Sequence, residues 1–353
     1  MSAEQTILIG DRIVGAGYPA YVVAEIGINH NGDMDLARNT IDAAVRAGAD
    51  AVKFQNYLVN DFVVDGSLDI TYLNDGLEVT EPQRELFERC ELTDDQVRML
   101  AAYCAEVGID FHSTPTNASG VALLSELNVY VMKNGSDFLS HLPLVADMAR
   151  SGIPTVLSTG MATVADIDEA VRAFRDAGGK DLLLLHCVSQ YPTPPAELNL
   201  RRIGVLANLF GVPVGFSDHS EGTLASCLSL TEGACWIEKH FTLDRALPGP
   251  DHRFSSDEAE MRDLVDGIRA AEQMMGNGEV GHRTERESGS GQAYRLSCAA
   301  ARDLKGGHVL KNEDIAFFRP GSGFPPAMAE LFVGQTLTNS VTRGTVLDLA
   351  MVR

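Results

Sequence analysis

Eight short apolar runs recur along the chain: Tyr21–Ile26, Ala51–Phe54, Ile109–His112, Val129–Met132, Thr155–Leu157, Leu182–Leu185, Val212–Phe216 and Cys235–Ile237. Several are continuous or β-branched, as strands buried on both faces require, so they predict a parallel sheet. Amphipathic helical patterns with readable ends lie between them. Asp35 to Ala47 carries Leu36, Ile41, Ala44 and Val45 on one side and stops at Gly48. Thr93 opens a helix carrying Val97, Leu100, Ala101 and Cys104 that ends at Gly108. Thr163 with Asp166 three residues on is a capping-box start, and Gly178-Gly179 is the matching stop. Strands alternating with helices predict an α/β fold, a (β/α)8 TIM barrel. A doubly wound open sheet would want a Gly-rich phosphate loop after its first strand, and Gly27-Ile28-Asn29-His30 is not one.

Other segments fall outside this alternation. Residues 6–14 read as a hairpin turning at Gly10-Asp11, suited to plug the barrel bottom. Residues 56–92 form an excursion between the second and third strands, long enough to be a lid or substrate loop. Residues 276–292 are rich in Gly and charge and nearly free of apolar side chains, which reads as a linker. The expected organisation is therefore a barrel over 1–275, the linker, and a small, mostly β domain over 293–353.

Composition narrows the function. The net charge of −21 argues against binding nucleic acid or an anionic membrane, both of which need a basic surface. It leaves room for a small anionic substrate held by a local cluster of donors. No run of 18 apolar residues is present, so no membrane span is expected, and Met1–Gln5 lacks the features of a secretion signal. The cysteines, Cys90, Cys104, Cys187, Cys227, Cys235 and Cys298, form no C-x-x-C pair and read as reduced thiols of a cytoplasmic protein. Cys187 is read with them, as a packed core thiol.

The candidate chemistry sits where the strands end. Polar motifs follow nearly every apolar run: Glu25 to Gly32, Lys53-Phe54-Gln55, Ser113-Thr114-Pro115, Lys133 to Ser136, Ser158 to Met161, His186 to Pro192, Ser217 to Ser220, and Glu238-Lys239-His240. Functional residues of a (β/α)8 barrel come from this end of the strands. Side chains alternate along a strand, so Lys53 shares a face with Gln55, and Glu238 with His240. If these faces point into the barrel mouth, Lys53 and Lys133 converge with the hydroxyls of Thr114, Ser136, Ser158 and Ser217. That set suits a phosphate and a carboxylate together. His219 and His240 close neighbouring strands and suit a first-row transition metal, with Glu238 or Asp251 orienting a bound water. The alternative for either imidazole is a packed core histidine. His30, His112, His186 and His252 are weaker candidates for the same role.

Taken in order, these motifs resemble the sialic acid synthase family over nearly the whole chain. The strongest matches are Glu25–Gly32, Lys53-Phe54-Gln55, Ser158-Thr159-Gly160-Met161, His186-Cys187 with Tyr191-Pro192-Thr193-Pro194, Gly215 to His219, Glu238 to Asp244 and Pro248 to His252. The tail motif Arg319-Pro320-Gly321-Ser322-Gly323 resembles that family's antifreeze-like (SAF) domain. The resemblance implies condensation of phosphoenolpyruvate with an N-acylated amino sugar, releasing phosphate and a nine-carbon keto acid. It implies a divalent metal on His219 and His240, Mn first, with Mg or Co as alternatives, and a domain-swapped homodimer. Lys53, Thr114, Lys133, Ser136, Ser158, Ser189 and Ser217 would hold phosphoenolpyruvate. Gln55, Asn74, Tyr191 and Asp251 would face the sugar, with Arg319 reaching it from the partner chain. Glu25 or Glu238 would take the proton of the attacking water, and the lysines would stabilise departing phosphate.

Certain positions depart from the family's pattern. Ser189 stands where many members have Asn, and Thr116 where Phe is usual after Ser-Thr-Pro. Tyr294-Arg295-Leu296-Ser297 replaces the usual basic pair with Ser, and Tyr72 and Asn74 lie in a long excursion. These bear on the choice of sugar: N-acetylmannosamine is the first expectation, and a diacetamido sugar of the legionaminic or pseudaminic type the second. A non-catalytic carbohydrate-binding protein would show an eroded set of polar strand ends, and here the set is intact.

Overall fold

The computed structural model describes residues 6–64, 68–74, 77–281 and 283–353. It forms two compact units, residues 1–276 and 277–353. In the first, a hairpin of β1 (Thr6–Ile9) and β2 (Arg12–Gly15) precedes eight parallel strands. These are β3 (Tyr21–Gly27), β4 (Ala51–Asn56), β7 (Asp110–Pro115), β8 (Met132–Asn134), β9 (Thr155–Ser158), β10 (Leu182–Cys187), β11 (Val214–Asp218) and β12 (Trp236–His240). Among the described residues, the strands between, β5 (Asp69–Asn74) and β6 (Leu77–Pro82), pair only with each other. Hydrogen bonding runs β7-β4-β3-β12-β11-β10-β9-β8, and the two ends of that order lie against one another, closing the expected TIM barrel.

Helices cover the outside: α1 (Met34–Ala47), α2 (Val59–Phe62), α3 (Gln83–Cys90), α4 (Asp94–Val107), α5 (Ala118–Glu126), α6 (Leu142–Ser151), α7 (Val164–Asp176), α8 (Arg202–Phe210), α9 (Leu224–Ser229) and α10 (Glu258–Met275). Their ends follow the local chemistry. Asp33 caps α1 through the amides of Asp35 and Leu36, and Gly48 ends it in the left-handed conformation at φ 83°. Thr93 with Gln96, and Thr163 with Asp166, close reciprocal capping boxes.

Strand alternation makes two cores. Outward side chains such as Val22, Ala24, Val52, Leu157 and Leu184 pack under the helices. Inward ones at the barrel bottom, Val23, Ala51, Val131, Val156, Leu185 and Trp236, join Ile7, Ile9 and Val14 of the hairpin. The hairpin is thus the plug its sequence suggested. Two residues further along each strand, on the same inward face, stand Glu25, Lys53, Lys133, Ser158, Cys187 and Glu238. One period-2 step converts an apolar floor into a polar mouth.

The excursion at 56–92 is not a bare loop. It holds α2, the β5–β6 hairpin and α3 around a core of its own, with Tyr57, Val59, Val63, Leu86 and Cys90 buried beside Ile28. The segment read as a linker also differs from expectation. Its second half folds as α11 (Glu285–Tyr294), because Thr284 and Glu287 form a capping box that Gly- and charge-rich composition conceals. The second unit continues with β13 (Ser297–Ala300) antiparallel to β14 (Ile315–Phe318), and short bridges around Cys298, Leu310, Phe332, Leu337 and Leu347. No helix among the described residues is long and apolar enough to cross a membrane.

Candidate functional site

The barrel mouth opens into a cleft of about 410 Å³. Its floor is a chain of alternating charges. Lys53 Nζ lies 2.7 Å from Glu25 Oε2 and 3.7 Å from Glu238 Oε1, and Lys133 Nζ lies 2.8 Å from the same Glu238 oxygen. Lys53 also donates to Thr114 Oγ1 at 3.2 Å, Gln55 to Glu25 Oε1 at 3.3 Å, and Ser217 to Glu238 Oε1 at 3.4 Å. All four charged groups are buried. Burial pushes the Glu25 carboxyl up, with Glu238 adding to it and Lys53 opposing. Burial also acts to raise Glu238, but Lys133 and Lys53 outweigh it and hold that carboxylate well below its ordinary range. Each lysine is therefore the ion-paired residue that a structural role would need, yet each still lines the cleft.

One wall is built of hydroxyls. Ser136 Oγ donates to Ser158 Oγ at 2.9 Å and accepts from the Gly160 amide at 3.0 Å. A Cβ at 160 would lie 2.3 Å from Ser189 Oγ and 2.7 Å from Ser136 Oγ, so a side chain there would have to displace those hydroxyls. Ser136, Ser158, Ser189 and Ser217 all face the cleft.

Another part of the rim carries the two imidazoles. His219 and His240 have ring centroids 5.4 Å apart, and Tyr191 packs on His219 at 4.2 Å. His219 Nδ1 lies 2.8 Å from the Val188 carbonyl. With the proton on Nδ1, the Nε2 lone pair is left for a ligand. His240 Nδ1 is buried without a hydrogen-bond partner, and Asp251 Oδ2 stands 3.7 Å from it. Burial lowers His240 well below its ordinary value, with His219 adding to that, and burial with Glu25 raises Asp251 to about 6. Two neighbouring imidazoles, one with an unpartnered buried Nδ1 beside Asp251, are a donor set that suits a divalent ion. Among the described residues no three His, Cys, Asp or Glu side chains form a ready metal cage.

Other expected residues fare variously. Glu25, Gln55, Tyr191 and Asp251 line the cleft. Tyr72 does not; its hydroxyl donates to Glu81 at 2.7 Å. The Asn74 side chain lies outside the described residues. Arg319 lies in the second unit, exposed, with its guanidinium 5.2 Å from the Tyr294 ring centroid. The weaker histidines are engaged elsewhere: His112 stacks against both Tyr21 and Trp236, His186 meets the Leu198 carbonyl, His252 meets Thr242, and His30 accepts from the Gly32 amide.

Certain functional positions escaped the sequence. Cys187, read as a core thiol, lines the cleft with its Sγ 3.9 Å from His219 Nδ1. Burial would raise this thiol, but the His219 contact brings it down to about 7. Behind the imidazoles, buried Lys239 pairs with Asp218 at 3.1 Å, and Asp218 accepts from Ser220 and Ser226. Asp218 and Lys239 each adjoin a candidate metal histidine in sequence, which was the available signal. The third wall is apolar: Tyr57, Phe62, Ile70, Leu86 and Phe87 come from the excursion, and Phe138 from beyond β8.

Comparisons with known proteins agree with this geometry. Residues 40–280 match the NeuB family, and residues 297–353 match the SAF domain. An uncharacterized protein of Methanocaldococcus jannaschii is 39% identical over 95% of both chains. The N,N'-diacetyllegionaminic acid synthase of Legionella pneumophila is 35% identical over 94% of both. A crystal structure of the N-acetylneuraminic acid (sialic acid) synthetase of Leptospira borgpetersenii, in complex with citrate, superposes with TM-score 0.72 and 30% identity. That match covers 81% of this chain and 95% of that one.

Proposed function

Because the chain belongs to the NeuB family, we propose that it condenses phosphoenolpyruvate with an N-acylated amino hexose and water, releasing phosphate and a nine-carbon keto acid. The observation that carries this reading is the pair of buried lysines, Lys53 and Lys133, on the floor beneath two converging imidazoles. Such a mouth offers one place for a strongly anionic reactant and an adjacent place for a carbonyl. N-acetylmannosamine and the diacetamido-trideoxyhexoses are the two acceptor classes that fit it.

In this reading Lys53, Lys133, Thr114, Ser136, Ser158, Ser189 and Ser217 bind phosphoenolpyruvate, while Gln55, Tyr191 and Asp251 face the sugar. A divalent metal, manganese first, would be held by His219 and His240 and would polarise the sugar aldehyde as a Lewis acid. The phosphoenolpyruvate C3 attacks the aldehyde carbon and forms the new C–C bond. The aldehyde oxygen takes the carbonyl electron pair as an alkoxide, which becomes a hydroxyl by taking up the proton that the attacking water later gives up through the carboxylate, and positive charge develops at C2. Water adds at C2, and its proton passes to a carboxylate. Glu25, which burial raises, suits that role better than Glu238, which Lys133 and Lys53 hold well below its ordinary range against the effect of burial. The C2–O bond to phosphorus then breaks, the ketone forms, and phosphate departs against Lys53 and Lys133. We further propose a homodimer in which Arg319 of one chain reaches the sugar held by its partner, in the cytoplasm.

The test is phosphate release. It is expected to need both phosphoenolpyruvate and an acylamino hexose, and to stop on thorough chelation. Release without sugar would refute the reading, and release that survives chelation would remove the metal from it. Mixing Arg319→Ala with His240→Ala should restore part of the turnover if sites are shared between chains.

A further inference from the structure

The strand ladder stops one residue short of a candidate metal ligand. β11 ends at Asp218, which pairs with Lys239 of β12 in the last matched position. His240 is still inside β12, opposite Glu25 of β3, and its carbonyl accepts from the Ser256 amide at 2.8 Å. His219 lies beyond its strand. Its carbonyl accepts from the Thr193 amide at 2.9 Å, and its ring meets the Val188 carbonyl. Those contacts tie it to the loop after β10, not to His240.

Two buried side chains supply the link to His240. Side chains alternate, so Ser217 and Glu238 face the cleft while Asp218 and Lys239 face outward. The outward positions two residues earlier, Phe216 and Ile237, belong to the apolar core. Asp218 and Lys239 are buried on that same face. Lys239 Nζ donates to Asp218 Oδ2 at 3.1 Å and to the Ser220 carbonyl at 2.6 Å. A single ammonium, on the residue before His240, thus grips the residues on both sides of His219. Asp218 Oδ1 closes the same turn by accepting from the Ser220 amide at 2.8 Å and the Ser220 hydroxyl at 2.6 Å. Asp218 Oδ2 also accepts from Ser226 Oγ of α9 at 2.6 Å, which ties the turn to the outer layer. A buried ion pair adds little stability over apolar packing. What this one adds is direction, through charge-assisted hydrogen bonds around His219.

We propose that Lys239 and Asp218 are positioning residues, a clamp behind the strands that sets the spacing of His219 and His240 for a divalent cation. This rests on the reading of those two histidines as metal ligands. Partners that orient ligands in this way are worth about 10- to 100-fold in metal affinity.

The test titrates Mn²⁺ into the metal-stripped full chain and reads the free ion by electron paramagnetic resonance. The wild-type chain is expected to bind Mn²⁺, and His219→Ala to lose it. Lys239→Met is expected to weaken binding about 10- to 100-fold. That variant leaves Asp218 buried without its cation, so the double variant Asp218→Asn/Lys239→Met accompanies it. The double variant should recover the melting temperature that the single one loses, while Mn²⁺ binding stays weak. Phosphoenolpyruvate binding to the metal-free protein, measured by calorimetry, should match wild type in both, since Lys53 and Lys133 sit on the inward face. Wild-type Mn²⁺ affinity in the double variant overturns the clamp and leaves the two histidines as ligands. A parallel loss of phosphoenolpyruvate binding also overturns it, since that marks a general loss of barrel structure. No Mn²⁺ binding by the wild-type chain, or undiminished binding by His219→Ala, overturns the metal reading and the clamp together.

Discussion

At the scale of single residues, the floor of the cleft is a set of charges that depend on one another. Glu238 is buried between two lysines, so removing one lysine leaves a carboxylate half-compensated out of water. Lys133→Met is expected to lower kcat/KM for phosphoenolpyruvate by about a thousandfold and to lower the melting temperature as well. Adding Glu238→Gln should recover the melting temperature without recovering turnover. A double variant that regained activity would remove Lys133 from the chemistry. In the second unit, Asp314 is fully buried against Arg302 and His308. Burial would raise it, yet those partners bring it down to about 2. A depressed carboxylate stabilises the fold above its unfolded value of about 3.9. That stability is lost as pH falls through the folded value. Acid should therefore melt the second unit as pH drops from about 4 toward 2, and Asp314→Asn should flatten that dependence in a circular-dichroism titration.

Elements fix where those residues point. The β1–β2 hairpin inserts Ile9, with no exposed surface, into the base of the barrel. Ile9→Ala is expected to cost about 2–4 kcal/mol in denaturant unfolding, with KM for both substrates unchanged. A loss of KM instead would mean that the plug shapes the mouth. At this scale much was legible in the chain. The eight apolar runs locate the strands, the caps at Thr93 and Thr163 locate helix starts, and Gly10-Asp11 locates the hairpin turn. What escaped has physical reasons. The helix after Thr284 hides in a composition that reads as linker, because a capping box outweighs scattered glycines. Cys187 looks like any buried thiol until β10 and β11 bring it against His219. The bond from Lys239 to the Ser220 carbonyl cannot be read from sequence, because it depends on the strand register that sets Lys239 beside Asp218. The excursion shows no periodicity, since its short helices and hairpin pack largely on one another, around a small core of their own beside Ile28.

For the whole molecule, charge is divided unevenly. Residues 1–276 carry 19 Lys and Arg against 41 Asp and Glu, a net of −22, while residues 277–353 carry 9 against 8, a net of +1. Repulsion among so many like charges destabilises the larger unit, and at 0.1 M salt it is screened beyond about 10 Å. Calorimetry in rising NaCl should shift the barrel transition upward and leave that of the second unit nearly still. Equal shifts would show that the charges act through the chain as a whole.

The hairpin that seals the barrel base also sets the traffic of molecules. A vessel closed below has one opening, so whatever binds deepest enters first and departs last. Phosphoenolpyruvate, on the lysine floor, would precede the sugar above it, and the keto acid would leave before phosphate. Inorganic phosphate is then expected to compete with phosphoenolpyruvate in product-inhibition kinetics, and to inhibit without competing against the sugar.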